Sequence, residues 1–294
     1  MAIPVAYPRS GPSRLRLRAL AITLVAFSGS GCSINLGSLT PSSEPEPAKL
    51  TSSSNIASLS EAIKSHPNDP QAYNMRGSVL AQAGKTDEAL ADFNKAISLD
   101  PNYGQAYANR ALIYRQTKRL DQAMADYERA LSLDANYAPA YLGRGMVYKA
   151  RKQPAEALAD FNKAITLAPD NAEAYYNRGL LYQAEKQHQY AIDDFTAANG
   201  LVPQQAEPLL ARALSYLATD RPKEAAADLD EAVQTDPQNA QAWLSRGLAY
   251  ERLGDKTKAA GSYGRAINLR PKDEAARTGF ARVGGKPGQS YETF

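Results

Sequence analysis

Large and small apolar residues return at fixed places every 34 residues along most of the chain. With residue 70 as position 1, positions 4 and 11 of each unit hold mostly tyrosine, and positions 20 and 27 hold alanine in all six units. This spacing predicts two amphipathic helices per unit, and the small residues let those helices approach closely. Proline at position 32 of most units ends the second helix, because proline cannot donate to the helical ladder. The pattern therefore predicts helical hairpins over residues 70–273, each stacked on the next.

The period runs without insertion, so the unit boundaries follow directly from it. The six predicted units are 70–103, 104–137, 138–171, 172–205, 206–239 and 240–273. Residues 55–69 fit a half-unit and are predicted to form an N-terminal capping helix, and residues 274–283 a C-terminal capping helix. Residues 284–294 are predicted to be a flexible tail.

The period and its residues resemble the tetratricopeptide repeat (TPR), a helix–turn–helix unit of 34 residues. The resemblance covers residues 70–273. It implies an all-α fold, a right-handed α-solenoid of six helix hairpins with a half-repeat cap at the N-terminal end and a capping helix at the C-terminal end.

The first 31 residues have the features of a secretory signal peptide. A basic stretch, residues 9–18, precedes nine apolar residues, 19–27, a length typical of a signal peptide and too short to span a bilayer. Ser30 and Gly31 before Cys32 resemble the lipobox of bacterial lipoproteins, which implies cleavage and lipidation at Cys32; Gly29 departs from the leucine usual in that motif. Alternatives are an ordinary cleaved signal peptide with an incidental cysteine, and an uncleaved anchor.

Residues 32–54 are rich in serine and proline and have little to bury, so they are predicted to form a disordered tether. Several acyl chains on one cysteine would hold the protein stably to a membrane. Ser33 follows Cys32, and in lipoproteins of this kind that favours the outer membrane, with the chain on its periplasmic side.

Charge and residue inventory exclude several classes of function. The net charge of +3 comes from four arginines in residues 1–31; the rest of the chain holds 30 basic and 31 acidic residues, so a nucleic-acid partner is not expected. One cysteine and two histidines cannot build a common zinc site, so neither a metal nor a cofactor is expected. The acidic residues recur with the period as structural residues do, and we predict that the protein is not an enzyme.

Arginine occupies position 7 of every unit, beside the packing seam. The six arginines are Arg76, Arg110, Arg144, Arg178, Arg212 and Arg246. Position 23 supplies the aspartates Asp92, Asp126, Asp160, Asp194 and Asp228, with Ser262 in the sixth unit. Because a partly buried guanidinium needs a carboxylate partner, we predict structural ion pairs between the two sets. Pairing within a unit would leave Arg246 unpaired, and pairing with the following unit would leave Arg76 unpaired; we favour the second arrangement.

In tetratricopeptide repeat proteins, positions 2, 5, 9 and 12 of the first helix face a concave groove. The resemblance therefore implies a groove for another protein or a peptide segment, formed by Asn74, Arg115, Leu142, Met146, Lys149, Tyr176, Leu180, Leu210, Leu214 and Leu244. Co-chaperones of this family bind their ligand with lysine and asparagine at positions 5 and 9. Of those residues the chain has Asn74 alone, so a co-chaperone function of that kind is not expected. The groove leucines have a second interpretation, which is packing against neighbouring helices.

Two functional hypotheses follow. The first is a lipid-anchored scaffold or adaptor for protein–protein interactions in the periplasm, acting in cell-envelope assembly or in regulation of envelope proteases or hydrolases. The second is a glycan-binding or export-assembly subunit, serving a pilus or a polysaccharide. A leucine-rich groove favours a protein ligand over a glycan, so we prefer the first.

Overall fold

The computed structural model describes residues 53–203, 205–286, 288 and 291, and these contain fourteen α-helices. The helices are α1 (Ser53–Ser65), α2 (Pro70–Gln82), α3 (Thr86–Leu99), α4 (Gly104–Gln116), α5 (Leu120–Leu133), α6 (Ala138–Ala150), α7 (Pro154–Leu167), α8 (Ala172–Ala184), α9 (His188–Leu201), α10 (Ala206–Ala218), α11 (Pro222–Thr235), α12 (Ala240–Arg252), α13 (Lys256–Leu269) and α14 (Glu274–Arg282). Each predicted unit contains two of them, and the expected all-α solenoid of hairpins is confirmed. The signal peptide, Cys32 and almost all of the predicted tether lie outside the described residues.

The arrangement of the helices defines two faces. The first helices of the hairpins are α2, α4, α6, α8, α10 and α12, and each contacts the first helix of the next hairpin. Within the described residues the second helices, α3 to α13 in odd numbers, make no such contacts with one another. Helices that touch their equivalents lie on the inner side of a curved array. The first helices therefore line the concave face, and the second helices form the convex face.

The seam inside each hairpin is built from the periodic small residues. The alanines at positions 20 and 27 are buried in all six repeats, as are the large residues at position 24. At position 8, a Cβ added to Gly145 would lie 2.7 Å from Cε1 of Phe161 and 3.2 Å from the Cβ of Asp160. A small residue at this position lets the backbone of the first helix lie against the aromatic ring of the second.

The turn inside each hairpin ends the first helix with a left-handed residue. Position 15 has positive φ in every repeat, and the residues are Gly84, Lys118, Lys152, Lys186, Asp220 and Gly254. In the third repeat, the amide of Gln153 donates to the carbonyl of Tyr148 at 2.9 Å, which satisfies a carbonyl at the helix end. The constant turn keeps the two helices of every hairpin in the same register.

The ends of the array differ in detail from the sequence prediction. Helix α1 ends at Ser65, short of the predicted residue 69, and its buried residue is Ile63. At the other end, Glu251 accepts hydrogen bonds from Arg282 of α14 and from the hydroxyl of Tyr263 at 2.6 Å. The described part of the predicted flexible tail lies back on α14, because the ring of Tyr291 packs edge-on against Phe280. Both ends thus cover an apolar face that a bare hairpin would expose.

Candidate functional site

The repeated arginines form ion pairs inside their own hairpins. In each of the first five repeats, the Nε and Nη2 atoms of the arginine donate to the two carboxylate oxygens of the aspartate sixteen residues later, at 2.6–2.8 Å. The pairs are Arg76–Asp92, Arg110–Asp126, Arg144–Asp160, Arg178–Asp194 and Arg212–Asp228. The preferred expectation, pairing with the following repeat, is wrong. Positions 7 and 23 face each other across one hairpin, so the carboxylate of the same repeat is the nearer one.

Three of these five arginines also reach the preceding hairpin. The Nη1 atom of Arg178 donates to the Oδ1 of Asn162 at 2.7 Å, and that of Arg212 donates to the hydroxyl of Thr196 at 3.0 Å. Arg110 makes the equivalent bond to Asn94. Position 25 of the preceding repeat supplies these acceptors. The link between hairpins is therefore made by neutral polar groups, and the charge is neutralised within the hairpin.

Arg246 of the sixth repeat has the reverse arrangement. Its Nε donates to the carboxylate of Asp230 in the preceding repeat at 2.6 Å, and its Nη1 donates to the hydroxyl of Ser262 in its own repeat at 2.8 Å. Arg246 therefore has a carboxylate partner, whereas pairing within repeats was expected to leave it unpaired. Its side chain is just 2% exposed. The hydroxyl of Tyr250 also donates to Asp230, and burial together with this bond raises the pKa of Tyr250 to about 12. These contacts brace the stack and provide no reactive group.

The predicted groove residues lie on the first helices, with different degrees of exposure. Leu142 is 8% exposed, and Asn74 is buried in a chain of hydrogen bonds to Asn109 and to the hydroxyl of Tyr103. The remaining predicted residues are half-buried: Arg115, Met146, Lys149, Tyr176, Leu180, Leu210, Leu214 and Leu244. Several groove leucines, such as Leu210 and Leu244, pack against the hydrophobic core, so packing accounts for part of their pattern. Leu112, at position 9 and 36% exposed, was not among the predicted groove residues.

Two adjoining cavities extend over repeats two to five and are lined mainly by first helices, with contributions from the second helices α5, α9 and α11. The smaller, of about 290 Å³, is lined by Leu112, Arg115, Tyr127, Leu142 and Met146 among others. The larger, of about 830 Å³, is lined by Tyr176, Val202 and Pro208 and by four acidic residues. Those acidic residues are Asp170, Glu173, Glu207 and Asp236. Because Asn171 and Glu173 line both cavities, the two form one continuous surface.

Tyr176 marks the apolar wall of the larger cavity. Its ring contacts that of Phe195, with 5.8 Å between centroids. Burial, and then the charge of Glu207, raise the pKa of the Tyr176 hydroxyl. An aromatic ring beside acidic groups suits a segment that presents both apolar and polar side chains.

No cluster of metal-ligating side chains occurs among the described residues. Across the same part of the chain, no helix is both long and apolar enough to span a bilayer.

Comparison with known families agrees with the helical period. Models described as tetratricopeptide repeat match residues 70–103, 104–137, 172–204 and 210–274, and one described as TPR repeat matches residues 145–186. The chain is a tetratricopeptide repeat protein. The residues that these models match include the position-7 arginine of every repeat except the third, where the match begins one residue after Arg144.

Solved tetratricopeptide repeat structures share the fold. The Pseudomonas aeruginosa protein PilF has a TM-score of 0.67 and 24% identity, over 72% of this chain and 97% of its own. The Cut9–Hcn1 hetero-tetramer of the APC/C has a TM-score of 0.65 and 19% identity over 80% of this chain, and the match spans 47% of that longer chain. YrrB, described as a TPR protein with an unusual peptide-binding site, has a TM-score of 0.50 and 23% identity, over 64% of this chain and 96% of its own. Comparison with curated protein sequences finds no match.

Proposed function

We propose that this tetratricopeptide repeat protein is a lipid-anchored scaffold on the periplasmic side of the outer membrane, which holds a segment of a partner protein in its concave groove. A scaffold for protein–protein interactions is the role that the repeat array supports. The anchor and the compartment are inferred from the N-terminal sequence, with Cys32 as the lipidated residue. Cell-envelope assembly, or regulation of envelope proteases or hydrolases, is the process in which we place it.

The single observation that carries the groove proposal is the pair of adjoining cavities on the first helices. Their combined surface extends over repeats two to five and offers apolar walls, an aromatic ring and charged groups of both signs. Such mixed surfaces suit an extended segment of polypeptide.

Partner capture is expected to depend on the concave face. Tyr176→Ala removes the apolar wall of the larger cavity, so a pull-down from detergent extract should lose specific protein partners. Tyr190→Ala is the matched control, because Tyr190 is 61% exposed on α9 of the convex face. Partners that stay with Tyr176→Ala but are lost with Tyr190→Ala would place the interaction on the convex face and contradict the proposal. Unchanged protein partners with altered glycan binding would favour the glycan hypothesis.

The anchor is tested separately. Radioactive palmitate is expected to label the wild-type protein and to leave Cys32→Ala unlabelled, since the cysteine carries the lipid. Cell fractionation should then move the variant out of the outer-membrane fraction. Equal label on both proteins would contradict lipidation at Cys32.

A further inference from the structure

The turns inside the hairpins lie along one edge of the array. Each of these turns joins the C-terminal end of a first helix to the N-terminal end of the second, and successive first helices lie side by side. The turns of all six repeats therefore share an edge, which we call the turn edge and define as positions 14–16 of each repeat. The loops between hairpins lie along the opposite edge.

The two edges differ in charge. In the first four repeats, the turn edge has a single acidic residue, Glu185, and six basic residues, which are Lys85, Lys118, Arg119, Arg151, Lys152 and Lys186. In the first five loops of the opposite edge, at positions 31–34, the charged residues are all aspartates: Asp100, Asp134, Asp170 and Asp236. A negatively charged partner is therefore attracted to the turn edge and repelled by the opposite edge.

Three lysines of the turn edge adopt a backbone conformation that disfavours them. Lys118, Lys152 and Lys186 have φ of 61°, 58° and 59°, at the position that glycine holds in the first and sixth repeats. A side chain strains the backbone in this left-handed region, whereas glycine adopts it freely. A cation is not required there to end the first helix, because Asp220 holds the same position in the fifth repeat. The three lysines thus strain the fold where glycine would not, which indicates a role for their charge outside it.

The ammonium groups of these lysines have no counter-charge in the fold. All three residues are exposed, and no ion pair in the described part of the chain includes them. By contrast, Lys85 is paired with Glu88, and Arg151 with Asp121. An ammonium on a flexible stem acts as a point charge. Three of them in successive hairpins suit a surface with many anionic groups and no fixed geometry.

Exposed apolar side chains lie beside the turn edge. Tyr190, in the first turn of α9, is 61% exposed, and its ring centroid is 5.4 Å from that of Tyr182. Leu253, on the turn edge of the sixth repeat, is 37% exposed. Basic and aromatic side chains on one exposed surface are typical of proteins that lie on the headgroups of a bilayer. A row of turn tips also forms a ridge, which can rest on a broad surface but cannot enclose a polypeptide segment.

We propose that the turn edge of the second to fourth hairpins rests on an anionic lipid bilayer, with Lys118, Lys152 and Lys186 on the phosphate headgroups and Tyr190 at their level. The concave groove lies on the first helices and stays open to a partner in this orientation. The inference goes beyond the proposed function: the lipid on Cys32 would hold the array near the membrane, and the turn edge would set its orientation.

The test uses the full-length protein reconstituted with vesicles of phosphatidylglycerol alone or of phosphatidylcholine alone, in which a small share of the headgroups carries a quencher. A fluorescent amino acid replaces Gln187 on the turn edge or Gln238 on the opposite edge, both of which are exposed. Quenching is expected at residue 187 on the phosphatidylglycerol vesicles alone, and it should decrease at high salt because salt screens the attraction. Residue 238 should stay unquenched on both. Equal quenching at the two residues, or none at residue 187, would overturn the proposal.

A matched control separates the position of the charges from their number. Quenching at residue 187 should be lost in the triple variant Lys118→Gln/Lys152→Gln/Lys186→Gln. The control triple removes the same charge from exposed sites away from the turn edge and should keep the quenching; it is Lys95→Gln/Lys163→Gln/Lys272→Gln. Equal loss in both triples would show that net charge alone attracts the protein to the vesicles, against the proposal.

A glycine variant separates binding from folding. In Lys118→Gly/Lys152→Gly/Lys186→Gly the melting temperature should stay level or rise, since glycine relieves the strain at positive φ, while quenching at residue 187 is lost. A clear fall in melting temperature would mean that the lysines stabilise the helix ends, through the helix dipole for example, and would contradict the proposal.

The remaining outcomes distinguish the turn edge from the anchor and from a protein ligand. Quenching at residue 187 in a protein that palmitate does not label would support the turn edge and overturn the anchor. A labelled protein without that quenching would keep the anchor and overturn the turn edge. A photoreactive amino acid at residue 187 that cross-links a discrete protein in intact cells, without quenching on vesicles, would assign the turn edge to an acidic protein and sink the lipid assignment.

Discussion

Asp194→Asn is expected to lower the free energy of unfolding by about 2–4 kcal/mol, because it leaves the guanidinium of Arg178 partly buried without its counter-charge. Asp194 is 4% exposed and accepts both hydrogen bonds of the pair, at 2.6 and 2.8 Å. Urea denaturation followed by circular dichroism measures the change.

The neighbouring residue provides the control. Asp193→Asn makes the same chemical change on the same helix, but Asp193 is exposed and its one described contact is with Gln189. It should shift the free energy of unfolding by less than about 0.5 kcal/mol. Equal effects of the two substitutions would show that net charge, and not the pair with Arg178, determines the loss.

Asp230→Ala is expected to lower the free energy of unfolding by about 3–5 kcal/mol, because Arg246 is almost fully buried and has no other carboxylate. The ring of Trp243, the single tryptophan, lies 5.6 Å from the guanidinium carbon of Arg246. Its fluorescence therefore reports directly on the contact between the fifth and sixth repeats. In chemical denaturation followed by that fluorescence, the contact between the fifth and sixth repeats should open at a lower denaturant concentration in Asp230→Ala than in the wild type.

Position 25 also offers a control and a rescue. Glu128→Ala changes the equivalent position of the second repeat, where the side chain is exposed, and should cost less than about 0.5 kcal/mol. Adding Ser262→Asp to Asp230→Ala moves the carboxylate to position 23, where the other five arginines find theirs, and should recover part of the loss. A double variant no more stable than Asp230→Ala would contradict the exchange of roles between the two positions.

The hairpins could be predicted from sequence because their causes are local and repeated. Alanine at positions 20 and 27, together with an aromatic side chain or a leucine at position 24, fixes the packing of both helices of every unit. The direction of the arginine pairs could not be predicted, because a regular period fits both arrangements equally well. One signal did exist for Arg246: Ser262 replaces aspartate at position 23, and Asp230 places a carboxylate at position 25.

The groove was harder to predict than the fold. Positions 5, 9 and 12 identify the concave face, but the curvature of the array decides how much of each side chain stays accessible. Leu142 is therefore buried while Leu112 is partly exposed, although both lie on concave positions. The clustering of Arg115, Lys149 and Asn177 depends on contacts between three successive first helices, and no single repeat reveals it.

Site-specific photo-cross-linking in intact cells tests most directly whether the concave face receives a partner. A photoreactive amino acid replaces Leu112 on the concave face or Tyr190 on the convex face, both of which are exposed apolar positions. The proposed function predicts a discrete cross-linked protein at position 112 and none at position 190. Cross-linking at position 190 with none at position 112 would contradict it.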